Sequence, residues 1–255
     1  MPRLHLFEIE DQPWCPRSLR DAATDYLRFA FSVSNPYTAP LPRVIAALKR
    51  NGASSVIDMC AGGGGPWKQL LPLLRAELPD VRVTLTDLYP NEEAFRSVGR
   101  ELGIGYELRS VDATSPPADL TGFRTLFTGF HHFRPAIAKR ILDGAVASGE
   151  GIAVLEFTER RPLTFMVMLT VPLIVLFTIP FIRPFRWSRI LWTYPIPVLP
   201  LLAMWDGLVS CARSYTPAEM RGMVTDHDSY DWEIGTDPAP KGPGRVTYLI
   251  GTPKR

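Results

Sequence analysis

Val56-Ile57-Asp58-Met59-Cys60-Ala61-Gly62-Gly63-Gly64-Gly65 carries an apolar run into a carboxylate and then into four glycines, with the helix-forming segment Pro66–Glu77 directly behind. A turn of this kind joins a strand to a helix and can hold a ligand. Glycines let the backbone approach the ligand and present N–H groups at a helix N-terminus. Asp58 at the strand end would repel a pyrophosphate; it suits a ligand rich in donors, such as the ammonium of an amino-acid moiety. A glycine-rich turn alone is also met as a plain tight connection, so the flanking pattern decides.

That pattern alternates. Strand-like runs at Ser55–Met59, Arg82–Asp87, Tyr106–Val111, Thr125–Phe130 and Gly151–Phe157 are separated by Pro66–Glu77, Asn91–Leu102, a short polar link near Pro116–Leu120, and Pro135–Ala147. The helical segments repeat apolar residues at helical spacing, which predicts an α/β chain. Two last runs, Tyr230–Gly235 and Val246–Gly251, flank a Pro/Gly-rich turn and read as a closing antiparallel hairpin. Asp87 closes the second run, 29 residues after Asp58, where a doubly wound fold places an acid for ribose hydroxyls. Asp112 closes the third. Asp is common in turns, but three acids at three successive strand ends would face one crevice.

On these residues the chain resembles the class I S-adenosylmethionine-dependent methyltransferases, over about residues 53–159 and 214–252. The resemblance implies a Rossmann-like seven-stranded sheet with six parallel strands and one antiparallel strand from the final hairpin. It implies S-adenosyl-L-methionine as cofactor, with Asp58, Ala61, Gly62 and Gly64 at the methionine portion. By it, Asp87, with its neighbour Leu88, would serve the ribose, and Asp112 with Val111 and Ala113 the adenine. Thr128-Gly129-Phe130-His131-His132-Phe133 resembles the family's loop after the fourth strand, placing Thr128 and Gly129 beside the cofactor. One departure stands out: Cys60 occupies the turn's usual first glycine.

Composition bounds the rest. With 255 residues and 46% hydrophobic content the chain can form one decorated α/β domain. A net charge of +2 excludes the strongly basic character of a nucleic-acid binder. Cys15, Cys60 and Cys211 are widely spaced, so no disulfide framework and no metal set is expected, and a reducing cytoplasm is the default. The charged N-terminal residues do not read as a secretory signal.

The anomaly is an insertion over residues 160–213, predicted to decorate a methyltransferase domain at 53–255 behind an N-terminal cap segment at 1–52. From Pro162 to Met204 the only charges are Arg183, Arg186 and Arg189, and Leu163–Ile182 is uncharged for 20 residues. That length meets the criterion for a membrane span, but Pro172, Pro180, Pro195, Pro197 and Pro200 oppose two regular spans. A single span would also put the last two strands across the bilayer from the first five. Three readings stay open: an apolar lid over the site, a monotopic hairpin in one leaflet with Trp187, Trp192, Tyr194 and Trp205 at the interface, or a homodimer interface.

Methyl transfer is an in-line displacement that needs alignment and, for a hydroxyl or protonated amine, a proton acceptor. Candidates near the strand ends are His131, His132 and Glu156; Glu156 could instead brace the loop that carries the histidines. Ser18–Phe31 reads as an amphipathic helix, and Tyr26, Tyr37 and Trp205 are the expected substrate contacts. Asp206 reads as the cap of a helix over Gly207–Arg213, and Thr216-Pro217-Ala218-Glu219 as a capping box. The expected function is methyl transfer to a small apolar or lipid-like acceptor. Two other classes remain: a catalytically silent cofactor-binding subunit that docks a partner or membrane through 160–213, and a nicotinamide-dependent oxidoreductase, which Asp58 and the closing hairpin oppose.

Overall fold

The computed structural model describes residues 1–254. Two helices, α1 (Arg17–Ser34) and α2 (Leu41–Asn51), precede the alternation β1 (Ser55–Met59), α3 (Trp67–Glu77), β2 (Arg82–Leu85), α4 (Glu92–Leu102), β3 (Gly105–Tyr106), β4 (Phe123–Phe127), α5 (Pro135–Ala147) and β5 (Ile152–Glu156). The insertion forms α6 (Pro162–Thr178), α7 (Trp187–Thr193) and α8 (Val198–Arg213). Then α9 (Pro217–Gly222) leads to β6 (Tyr230–Pro238) and β7 (Arg245–Pro253).

The seven strands form one sheet in the order β3-β2-β1-β4-β5-β7-β6. β1 pairs in parallel with both β2 and β4, while β7 runs antiparallel to β5 and to β6. The predicted seven-stranded sheet with a closing hairpin is therefore present. The chain reverses its winding between β1 and β4, and in such sheets a crevice opens outside the carboxyl ends of those strands.

Helices α2, α3 and α4 cover one face, burying Leu48, Leu70, Leu74 and Phe95 against Val56, Val83 and Leu85. Helix α5 and Tyr215, Met220 and Val224 cover the other, against Ile57, Leu126, Val154 and Leu249. A third apolar cluster stands apart from the sheet: α1 contributes Leu19, Ala22, Ala23 and Tyr26, and the insertion contributes Val171, Val175, Leu199 and Leu202. The 1–52 segment is thus divided, α2 in the sheet layers and α1 with the insertion.

Three expectations shift. The third strand is two residues long instead of Tyr106–Val111, because side chains take over the backbone partners: Arg109 N–H donates to Glu107 and the Ser110 hydroxyl to Leu88 O. The fourth ends at Phe127 because Thr128 adopts φ 48°, which an extended strand cannot accommodate. Asp206 lies inside a continuous α8 and caps nothing; it accepts from Ile9 N–H (2.7 Å) and Glu10 N–H (3.1 Å), tying the N-terminal strap to the insertion. The capping box at Thr216 and Glu219 forms as expected.

Candidate functional site

A cavity of about 390 Å³ sits at the carboxyl ends of β1, β2 and β4. Its floor is the glycine turn. Gly62 N–H donates to Asp87 Oδ2 (2.8 Å) and Tyr89 N–H to Asp87 Oδ1 (2.8 Å), so the acid at the end of β2 fixes the turn after β1. Gly63 passes so close to α1 that a Cβ there would lie 2.7 Å from the Thr24 carbonyl oxygen. Only glycine fits that crossing.

Cys60, at the position of the missing first glycine, adopts φ 58°, in the left-handed region that costs a side chain about 1–2 kcal/mol. The turn thus holds strain at the cavity wall. Cys60→Gly is accordingly expected to raise stability by about 1 kcal/mol, with the melting temperature as readout, after allowing for glycine's greater entropy loss. A variant that melts lower would show that the thiol's packing outweighs the backbone relief.

Asp58 is buried beneath the turn, accepting from Trp67 Nε1 (2.7 Å) and Thr125 Oγ1 (2.9 Å). Burial pushes its carboxyl up to about 7. Asp87, also raised by burial, keeps two amide donors that favour the charged form.

A second cavity, of about 500 Å³, lies beside the first and is lined mainly by α1 and the inner side of α6, including Tyr26, Ala30, Val167, Met168 and Val171. The two share a wall: Glu10, Leu27, Phe31, Thr128 and His132 line both. The Tyr37 hydroxyl braces it through a 2.5 Å bond to Thr128 Oγ1, which also accepts from Phe157 N–H (3.0 Å).

Behind the wall is a polar cluster. Glu156, at the end of β5, accepts from Phe130 N–H (2.7 Å) and pairs with His131 Nδ1 (2.6 Å), so it braces the histidine loop. His132 Nδ1 lies 3.0 Å from Glu8 Oε2 and 2.9 Å from Asp11 Oδ1. Burial opposes the charge on His132, but these two carboxylates hold its pKa well above the ordinary value. Arg213 reaches Asp11 (2.9 Å) and Glu8 (3.3 Å). Glu10 has no ion-pair partner among the described residues, and burial pushes its carboxyl up to about 8.

Of the expected cofactor contacts, Asp58, Ala61, Gly62, Asp87, Leu88, Thr128 and Gly129 line the first cavity. Gly64, Asp112 and Ala113 do not. Gly64 packs toward Val98, Asp112 is exposed and accepts from its own turn at Thr114, and Ala113 is in the core beside α5. The segment stays tied to the end of β2, with Val111 N–H donating to Asp87 O (2.9 Å). Among the substrate candidates, Tyr26 lines the second cavity and Tyr37 the first. Trp205 lines neither and donates to Phe7 O (3.1 Å). Sequence reasoning missed Glu8, Glu10 and Asp11, whose only signal was an acidic run before α1.

No family model matches the sequence, and no curated protein matches it. Solved structures do match in fold. Human N-acetylserotonin methyltransferase in complex with S-adenosylmethionine superposes with a TM-score of 0.51 at 13% identity, over 89% of this chain and 55% of its own. The plantazolicin methyltransferase BpumL in complex with S-adenosylhomocysteine gives 0.51 at 14% identity, over 93% and 96%. An O-methyltransferase family protein from Burkholderia thailandensis gives 0.50 at 17%, over 91% and 59%. The chain thus spans little more than half the length of the first and third. At these identities the likeness is one of fold, and with the strand order and the glycine turn it establishes that this chain has the fold of the class I S-adenosylmethionine-dependent methyltransferases.

Proposed function

We propose that this chain transfers a methyl group from S-adenosylmethionine to a small apolar or lipid-like acceptor. The observation that carries the reading is the shared wall: a cavity at the glycine turn and a larger apolar cavity meet across Thr128, His132, Phe31, Leu27 and Glu10. Two ligands meeting across such a wall are placed for direct group transfer, and holding them there supplies much of the rate.

In this reading the turn's amides and Asp58 take the methionine portion, Asp87 the ribose hydroxyls, and Leu88 and Tyr89 the adenine. The fit rests on Asp87, whose carboxylate oxygens retain lone pairs after accepting from Gly62 and Tyr89, and on the glycine turn, which lines the cavity with backbone at Gly62, Gly63 and Gly65. The bound cofactor supplies an electrophilic methyl carbon on a sulfonium. An acceptor atom held in the second cavity would form its bond to that carbon as the carbon–sulfur bond breaks, with S-adenosylhomocysteine as the leaving group. A hydroxyl or protonated amine also sheds a proton, which the carboxylate form of Glu10, facing both cavities and made more basic by burial, is placed to take. Burial in the apolar cavity keeps water from competing.

Calorimetric titration with S-adenosylmethionine and S-adenosylhomocysteine, followed by radiolabelled methyl transfer to a panel of apolar alcohols, phenols and amines, tests this reading. Micromolar binding and transfer are expected. A folded chain that binds neither compound would overturn it and favour a docking subunit.

A second reading concerns the source of the acceptor. The stretch Pro162–Phe181 is, by length and composition, long and apolar enough to cross a membrane, yet most of it is unburied. Its inner side lines the acceptor cavity, while Phe177 is 75% and Phe181 71% exposed, and Trp187 beyond the turn 77%. An apolar helix flanked by Trp and Arg suits contact with one leaflet. The chain is therefore expected to sediment with anionic liposomes, and the Phe177→Ser/Phe181→Ser variant to remain in solution. Wild-type protein that stays in the supernatant would refute the leaflet contact.

A further inference from the structure

We infer that Glu8, His131 and His132 form a binding site for a divalent transition-metal ion at the wall between the two cavities. One donor atom from each lies within 4.8 Å of the other two. His131 and Glu8 are almost wholly buried, at 1% and 0% exposed. His131 Nε2 and Glu8 Oε2 have no hydrogen-bond partner. Buried polar atoms are rarely left unpaired without a reason, because each forfeits its solvation.

The chemistry of the orphaned atoms points to a cation. His131 Nδ1 is committed to Glu156 Oε2, and in the tautomer that donates there Nε2 carries a lone pair facing the Glu8 carboxylate, whose Oε1 is 3.6 Å away. Two acceptors facing each other repel unless something positive lies between them. Glu8 Oε1 is already occupied, accepting from Ser210 Oγ (3.0 Å) and lying 3.3 Å from Arg213 Nη1, which leaves Oε2 as the free donor. His132 Nδ1 stands 3.0 Å from that oxygen. Neighbouring donors around a tetrahedral zinc ion stand roughly 3.4 Å apart; His132 Nδ1 and Glu8 Oε2 are 3.0 Å apart and all three donor atoms lie within 4.8 Å of one another, so side-chain rotation would bring them onto one ion.

The surroundings match a metal site in two further respects. Glu156 behind His131 is the carboxylate that orients a ligating imidazole and fixes its tautomer. The local charge is also unbalanced. Glu8, Asp11, Glu156 and Asp206 bring four carboxyl groups together against Arg213, the only guanidinium pairing with them among the described residues, and the His132 imidazole, whose counter-charge a bound ion would replace. Two imidazoles and one carboxylate select zinc, iron(II) or cobalt(II) over magnesium or calcium.

Resting on the methyl-transfer reading, the position names an acceptor class. His131 and His132 both line the apolar cavity and His132 also the cofactor cavity, so an ion here would meet a hydroxyl or phenol oxygen of the acceptor and favour loss of its proton.

The test is metal binding by the full chain without cofactor. Protein stripped with chelator is dialysed against Zn²⁺ and against Co²⁺, and metal content and the visible Co²⁺ spectrum are recorded for the wild type, Glu8→Gln and His131→Gln. One ion per chain is expected, with Co²⁺ bands of a low-coordinate nitrogen/oxygen site, and both variants are expected to lose the ion and the bands. A stripped wild type that takes up no ion overturns the proposal, as do variants that keep wild-type stoichiometry and spectrum. If a variant fails to fold, the wild-type Co²⁺ spectrum decides alone. Titration of the metal-free chain with S-adenosylmethionine separates the two readings, since cofactor binding without metal uptake would sink the ion site only.

Discussion

Asp25→Ala is expected to destabilise the chain by about 3–5 kcal/mol, the loss measured when one partner is removed from a buried ion pair. Asp25 is fully buried on α1. Arg186 (3.2 Å), Arg189 (3.3 Å) and Arg28 (3.5 Å) converge on it, with Arg189 itself 1% exposed. Removing the carboxylate leaves two insertion guanidiniums without their buried counter-charge. Arg189 also donates to Ile182 O and to Pro184 O, so the turn between α6 and α7 loosens with it. Urea unfolding measures the loss, and the double variant Asp25→Ala/Arg189→Met should recover part of it, because the stranded charge is then gone as well. A single variant within about 0.5 kcal/mol of wild type would mean that the arginines reach solvent, and that α1 and the insertion are held by apolar contact alone.

The same ion pair shows where sequence reading stops. β1 was legible to the residue, and the boundaries of α5 too, because apolar periodicity and proline punctuation are local signals. Asp87 was legible from its distance along the chain to Asp58, since strand and helix lengths in this architecture vary little. The partnership of α1 with the insertion was not. It joins residues about 160 positions apart, and the composition of 163–182 is the same whether the segment packs on α1, enters a leaflet or pairs with a second copy. The strap from Glu8 to Asp11 was invisible for a related reason. Its acids acquire meaning only when His131, His132 and Arg213 arrive from two other parts of the chain. Cysteine and histidine spacing likewise could not reveal a ligand set whose third member is a glutamate more than a hundred residues away. Asp112 and Ala113 lie outside the lining of the first cavity, and the third strand is shorter than the sequence suggests because Glu107 and Ser110 take backbone partners beyond Tyr106.

Asp87→Ala should weaken S-adenosylmethionine binding by about 10- to 150-fold, corresponding to about 1.5–3 kcal/mol for hydrogen bonds to a charged group. Two losses combine. The ribose hydroxyls lose their acceptor, and Gly62 N–H loses the 2.8 Å bond that holds the glycine turn open beneath the cofactor. Asp87→Asn separates them. An amide keeps one acceptor oxygen for Gly62 or Tyr89 but turns an N–H₂ toward the other backbone donor, so it should fall between wild type and alanine. The effect should also depend on pH in a defined direction. Burial raises Asp58 to about 7, so in the free protein its neutral form is favoured. An ammonium requires the carboxylate, and affinity should therefore climb as pH rises from 6 toward 7.5 in wild type and in both Asp87 variants alike. The linked stability runs the other way. Relative to Asp58→Asn, the wild-type free chain is most stable below the unfolded value of 3.8 and loses that margin as pH rises through about 7. Titrations that gave unchanged affinity for Asp87→Ala would remove Asp87 from the cofactor site. A flat pH profile in the wild type would instead show that the buried Asp58, already tied to Trp67 and Thr125, serves the turn and never meets the ligand's charge.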